Sequence, residues 1–381
     1  MLYLDNAATT PVRPEVLEAM MPLLTTWYGN PSSHHTVGEA AAHALADARA
    51  RVAHVLGLRA GDVVFTSGGT EANNLAVKGI AIAAQQHRGA AHVVTTPIEH
   101  ESILESADYL SRVHGFEVAH VLVDGNGCLS PADVAGAVRD DTALVSFGYA
   151  NNEVGTVQDV AAVAAAVRER RIPVHVDAVQ AAGWLPLSAA DLGVDAISIA
   201  GHKLGAPKGT GVLGVRGRIP LEPVLHGGGQ ERGKRSGTEN VAGAVGLAVA
   251  LELAEAERVE ASVRVSALRD RFIARVLAAV PSAALTGHPV RRLPGTASFT
   301  FAGTSGEAVL LELERRGVVS SSGSACAAGS DEPSHVLVAM GIAPEVAQTA
   351  VRFTFPHDLQ EPLDAVADAV AASVAAVQSN R

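Results

Sequence analysis

Between residues 62 and 215, short apolar runs alternate with longer stretches in which alanine, valine and leucine recur every three or four positions. The runs at 62–66, 92–96, 117–123, 143–149, 173–177, 196–200 and 211–215 have the length and flanking turn residues of strands. The stretches at 72–86, 102–114, 131–138 and 160–170 have helical spacing. An alanine-rich helix at 38–56 precedes them, and an earlier one starts near Pro14. Strands that alternate with helices need crossover connections, which predicts a mostly parallel sheet with helices on both faces. In such sheets the chemistry gathers past the carboxyl ends of strands. His100, Asn151, Asp177 and Lys203 stand at or just beyond predicted strand ends.

Beyond Asn240 the texture changes. Residues 241–280 read as two helices, the second charged over 255–275 and suited to connect two domains. Strands follow at 297–301, 318–319 and 350–354, and helices at 306–316, 334–340 and 363–377. Residues 320–331 are almost all serine, alanine and glycine around Cys326, a loop with no bulky side chain to pin it down.

Composition narrows the function. The chain has 381 residues, enough for two to three domains. Its net charge of -11 argues against a nucleic-acid partner, which needs a basic face. The longest apolar run, 241–251, is too short for a bilayer, and the amino terminus lacks the basic and apolar regions of a signal peptide. Cys128 and Cys326 are far apart, so a disulfide framework is not expected and a cytoplasmic setting is.

Five candidate groups then stand out. Lysine occurs only at positions 78, 203, 208 and 234, and Lys203 follows an apolar strand and His202. Desolvation there favours a neutral amine able to form a Schiff base. A pyridoxal phosphate on Lys203 would need a phosphate cradle, an acid for the ring nitrogen and a stacking group. Ser67-Gly68-Gly69-Thr70 opens a helix after a strand, so its N–H groups suit an anion, although Thr70 equally suits an ordinary helix cap. Asp177 ends an apolar strand, where a carboxylate can pair with a protonated pyridine or serve as a cap, and Gln180 is three residues on. His100 is the candidate stacking group and proton shuttle. Cys326 is the candidate nucleophile, whereas Cys128, in a turn, reads as structural.

Taken in order, these stretches resemble the cysteine desulfurases of the NifS/IscS-like group, fold-type I enzymes of the class V aminotransferase superfamily. The resemblance rests on Asp5-Asn6-Ala7-Ala8-Thr9-Thr10-Pro11, Gly29-Asn30-Pro31-Ser32-Ser33 and residues 66–74. It continues through Glu99-His100, Asn151-Asn152-Glu153-Val154-Gly155, residues 175–180, His202-Lys203, residues 207–209, 227–231 and 235–238, Ser322-Gly323-Ser324-Ala325-Cys326 and residues 333–337. It implies an α/β fold with a large cofactor-binding domain at 15–255 and a smaller α+β domain made of 1–14 and 256–381. It implies pyridoxal 5′-phosphate on Lys203, with Asp177 at the pyridine nitrogen, Gln180 at the phenolic oxygen and His100 against the ring. Gly69, Thr70 and His202 would hold the phosphate, with Thr238 supplied across a homodimer interface. Asn151, also at the cofactor, would bind the substrate carboxylate with Arg352. Cys326 would take sulfur from L-cysteine as a persulfide, leaving L-alanine, and pass it to an acceptor or scaffold protein for iron–sulfur cluster assembly or for tRNA, DNA or cofactor thiolation. No resident metal is implied, although in some relatives the cysteine matching Cys326 transiently ligates an iron–sulfur cluster.

The chain departs from the family pattern twice. The family usually places Ser-Ala or Ser-Ser before the histidine, with the first serine on the phosphate, whereas this chain has Ala200-Gly201. After Arg352 the family's Arg-x-Ser-x-Gly is replaced by Arg352-Phe353-Thr354-Phe355-Pro356. A selenocysteine lyase or an aminotransferase of the same fold is the rival reading; transamination needs no thiol at 326. A non-catalytic scaffold is a third, at odds with the full set of Lys203, His100, Asp177 and Cys326.

Overall fold

A computed structural model describes residues 1–322 and 332–379. The first part of the chain supplies β1 (Leu2–Tyr3), α1 (Pro14–Thr25), α2 (Thr36–Val55), β2 (Val63–Thr66), α3 (Gly69–Arg88), β3 (His92–Thr95), α4 (Glu101–His114) and β4 (Glu117–His120). Next come α5 (Pro131–Ala137), β5 (Thr142–Gly148), α6 (Val160–Val167), β6 (Val174–Asp177), α7 (Ala189–Leu192), β7 (Ala196–Ala200) and β8 (Gly211–Val215). The remainder is α8 (Val241–Ala279), β9 (Ala283–Leu285), β10 (Thr296–Phe301), α9 (Gly306–Arg315), β11 (Val318–Val319), α10 (His335–Ala339), α11 (Pro344–Ala347), β12 (Ala350–Thr354) and α12 (Asp364–Ser379).

Seven strands form the main sheet in the order β2-β8-β7-β6-β5-β3-β4. Strands β3 to β7 pair in parallel, and β8 alone runs against both its neighbours. Its reversal follows from the chain, since the short loop after β7 permits a hairpin but not a crossover. Alternate side chains enter opposite cores. Val63, Val94, Val145 and Ile197 pack with α1, α2, α6 and the start of α8, while Val64, Val93, Leu144 and Ala196 pack with α3 and α4. From β3 the chain steps outward to β4 and returns to β5 on the other side of β3. The loops after β3 and β5 therefore diverge, opening a crevice at the carboxyl edge of the sheet.

A second core lies around β10 and β12. Phe272, Phe299, Phe353 and Phe355 meet edge to face there, with centroids 5.2–6.3 Å apart. Leu4 joins this core, and β1 pairs in parallel with β11. The sequence pattern did not anticipate β1, β9, α7 or α11, which are all four residues or shorter and too brief to show a period.

One expectation is corrected. Residues 241–279 are a single helix of 39 residues rather than two. What changes along it is burial, not backbone. Its first half lies in the main core up to Ala254, and its second half enters the other core from Val265 onward. From Leu247 to Ala279 there is neither glycine nor proline to break it. We propose that the boundary between the two domains crosses α8 near residue 255, between those two side chains.

Candidate active site

The residues singled out from the sequence converge on a cavity of about 650 Å³ at the carboxyl edge of the main sheet. Gly69, Thr70, His100, Asn151, Asp177, Gln180, His202, Lys203 and Arg352 all line it. Thr238 is exposed and is not among the described residues that do. Cys326 lies outside the described residues. The chain on either side of it reaches the site. Ser321 exchanges backbone hydrogen bonds with Arg352, and Glu332, Pro333 and Ser334 line the cavity.

The amino end of α3 closes one side. A Cβ on Gly69 would lie 2.9 Å from Val179 Cγ2 and 3.3 Å from Ala200 Cβ, so glycine lets the start of the helix pack against the ends of β6 and β7. The start of α3, whose first-turn N–H groups lack helical acceptors, then lines the cavity. His202 sits beside them with Nδ1 3.2 Å from Thr9 Oγ1. Burial, aided by the charges of Lys203 and Lys208, pushes its ring down to about 4, so at neutral pH it is an uncharged hydrogen-bonding group.

Lys203 ends a 3-10 turn that begins at Gly201, immediately after β7. Its Nζ donates to Ala7 O, and to Ala8 O at 2.8 Å. Gln180 Nε2 donates to the same Ala7 oxygen at 3.1 Å. The run of small residues after Asp5 is what allows the amino-terminal strap to come this close. The strap is tied to β12 by Asn6 Nδ2 to Thr354 O and by Ala7 N to Thr354 Oγ1, both 2.8 Å.

Asp177 Oδ1 accepts from Val179 N at 2.9 Å, and Oδ2 from Asn73 Nδ2 at 2.6 Å. Both donors are neutral, and among the described residues no lysine or arginine pairs with this carboxylate. Glu99, also on the cavity wall, is buried and accepts from Thr96 Oγ1. Burial pushes its carboxyl up to about 8 against that hydrogen bond, and the charge of Asp177 adds to the rise. Burial thus favours the neutral form of Glu99 at neutral pH, beside the Asp177 carboxylate.

His100 caps α4, its Nδ1 lying 3.0 Å from Ser102 N and 2.8 Å from Ser102 Oγ. Asn151 organises the turn after β5, with Nδ2 on Ile98 O and Oδ1 accepting from Glu153 N and Val154 N. Arg352 is nearly buried. It donates from Nη1 to Asn152 O at 2.9 Å and pairs through Nη2 with Asp5 at 2.8 Å, linking the small core, the strap and the Asn151 turn. Sequence reasoning missed Asn73, Ser102 and Glu99 as parts of the site. The available signal was helical spacing: Asn73 lies four residues after Gly69 and so shares its face of α3.

A family model described as aminotransferase class-V matches residues 2–361. The chain belongs to the class-V aminotransferase family. A cysteine desulfurase IscS of Methanosarcina thermophila is 44% identical over 370 residues, which is 97% of this chain and 91% of that protein. A solved structure described as a NifS-like protein superposes with a TM-score of 0.89 at 37% identity, covering 100% of this chain and 98% of its own. A second, described as SspA in complex with cysteine, superposes with a TM-score of 0.82 at 34% identity over 93% of this chain and 99% of its own.

Enzymes of this class use pyridoxal 5′-phosphate, and the cavity fits it. Asp177, paired only with neutral donors, matches a protonated pyridine nitrogen, and the start of α3 matches a phosphate. The departure at Ala200-Gly201 has a steric cause at its second position. A Cβ on Gly201 would lie 2.3 Å from Thr210 Oγ1 and 2.9 Å from Ala206 Cβ, so serine or alanine cannot stand there without a shift. Ala200, by contrast, lines the cavity. Ala200→Ser is expected to tighten cofactor binding roughly tenfold, as one added charge-assisted hydrogen bond of about 1.5–3 kcal/mol allows. Titration of the apoenzyme with pyridoxal phosphate measures it, and an unchanged affinity would show that another group already fills that place.

Proposed function

We infer that this chain is a cysteine desulfurase that moves sulfur from L-cysteine to the thiol of Cys326. The observation that carries the reading is one cavity holding a lysine, a carboxylate bound only by neutral donors, a helix-capping histidine and a buried arginine, in a chain 44% identical to a named cysteine desulfurase. When bound, pyridoxal phosphate supplies an electrophilic carbon for the substrate amine and a sink for the electrons of the Cα–H bond. Arg352 and Asn151 hold the substrate carboxylate and so orient Cα toward Lys203. Lys203 Nζ takes the α-proton. The Cys326 thiolate attacks the substrate sulfur, so the new S–S bond forms as the C–S bond breaks. The two electrons of that bond stay on Cβ, which is protonated, and Lys203 returns a proton to Cα, giving L-alanine. The persulfide is then passed to an acceptor protein.

A homodimer completes the site in this reading, with Thr238 of one subunit at the phosphate of the other. The exposure of Thr238, and of Leu17, Met21, Leu24, Trp27 and Tyr28 on and just after α1, supports it. Among the described residues no helix is long and apolar enough to cross a membrane. We place the protein in the cytoplasm, a setting supported by two cysteines distant in sequence.

Cys326→Ala is expected to lower sulfide release from L-cysteine under reductant by on the order of 10²-fold or more, because a nucleophile supplies a step rather than a tuning interaction. The cofactor should stay bound. Undiminished release would return the reading to a lyase or aminotransferase that needs no thiol.

A further inference from the structure

Asn73 and Ser102 both line the cavity, and neither is assigned a role in the reaction above. Both are buried. Asn73 Nδ2 is 2.6 Å from Asp177 Oδ2 and 2.9 Å from Ser102 Oγ. Ser102 Oγ is in turn 2.8 Å from His100 Nδ1.

The direction of these bonds is decided at both ends. A carboxylate only accepts, so the Asn73 amide must turn its NH₂ toward Asp177. The flipped amide would set two oxygens 2.6 Å apart. Asn73 Oδ1 is left buried with no partner among the described residues, consistent with an orientation dictated by the carboxylate. The second proton of the same NH₂ goes to Ser102 Oγ, which therefore accepts on that side and keeps its own O–H to donate. At the other end, Ser102 N is a backbone donor 3.0 Å from His100 Nδ1. A backbone N–H opposite Nδ1 disfavours a proton there, and the free O–H of Ser102 disfavours it further, so Nδ1 accepts from both.

We propose that Asn73 and Ser102 are positioning residues that relay from Asp177 to His100 and hold the neutral imidazole as the Nε2–H tautomer. The relay gives His100 a fixed polarity. Its Nδ1 edge is bound to α4, and its proton sits on the opposite edge, as a donor rather than a base. It also links His100 to the charge that faces the pyridine nitrogen. In turnover, this makes His100 Nε2–H a proton donor. That consequence rests on the desulfurase reading, whereas the tautomer does not.

The test uses the holoenzyme labelled with ¹⁵N-histidine, with two-bond ¹H–¹⁵N correlations recorded at neutral pH and the His100 ring assigned by its loss in His100→Gln. The wild-type ring should show an unprotonated Nδ1 and a protonated Nε2. Ser102→Ala keeps the backbone donor but removes the hydroxyl. It should move the tautomer ratio toward Nδ1–H by about fivefold, the weight of one neutral hydrogen bond, and lower kcat by a similar factor with little change in KM. Asn73→Ala should shift the ratio in the same direction, and Ser102→Thr, which restores the hydroxyl, should return both readouts toward wild type. A wild-type ring protonated on Nδ1, or a Ser102→Ala ring unchanged from wild type, overturns the relay and leaves the desulfurase reading standing. A relay present in a protein that releases no sulfide from cysteine supports the tautomer and sinks the desulfurase reading instead.

Discussion

Lys203→Ala is expected to reduce sulfide release from L-cysteine by at least about 10³-fold, which corresponds to roughly 4 kcal/mol of lost transition-state stabilisation. In the proposed reaction two tasks fall on one nitrogen, attachment of the cofactor and transfer of the α-proton, and no other lysine is placed to take them over. Lys78 stacks over Tyr109, on the face of α3 away from the cavity, and neither Lys208 nor Lys234 lines it. Lys203→Arg should not rescue, because a guanidinium keeps its proton at any working pH and forms no Schiff base. The fold should survive the change. Nζ bonds two backbone oxygens of the strap at the rim of a cavity, and Gln180 still reaches Ala7 O without it. Borohydride reduction of the holoenzyme followed by peptide mapping tests the assignment directly. A label on any lysine but 203 would remove its basis.

The second large effect is structural. Glu231→Ala is expected to destabilise the protein by about 3–5 kcal/mol, the usual cost of leaving one member of a buried ion pair alone. Arg49 donates to both Glu231 oxygens, at 2.6 and 2.7 Å, and Phe65 N donates to one of them at 3.1 Å. The pair also restrains unfavourable backbone. Glu231 and Arg232 both have positive φ, 49° and 58°, a region that non-glycine residues seldom occupy. Four residues on, Arg235 pairs with Glu71, whose carboxylate accepts from Ser67 N just before α3. Loss of Glu231 should therefore loosen the cofactor's phosphate end as well as lower the melting temperature, by on the order of 10 °C. The double variant Arg49→Met/Glu231→Leu should recover most of the stability, since no buried charge is left unpaired. Thermal melts of the single and double variants decide this. A single variant within about 2 °C of wild type would show that water or another acceptor already satisfies Arg49.

Much of the fold was legible because it is written in local periods. The strands of the main sheet alternate their side chains between two cores, and the helices repeat every three to four residues, so each marks itself within a window of about ten positions. The single helix α8 was misread as two. Its surroundings change at its midpoint, and a hydrophobicity pattern reports surroundings rather than backbone. Gly201 shows the opposite case. As sequence it looks like a departure from a family motif, while in the fold an added Cβ would collide with Thr210.

By itself, the chain determined the alternation of strands and helices and the identity of the reactive groups at the strand ends, because both depend on neighbours a few residues away. The tertiary structure alone decided which of those groups touch. Asn73 reaches Ser102 across 29 positions and Asp177 across 104. It does so because α3 packs over the sheet and β3, β5 and β6 lie side by side, an order set by the packing of two whole cores and by no local pattern.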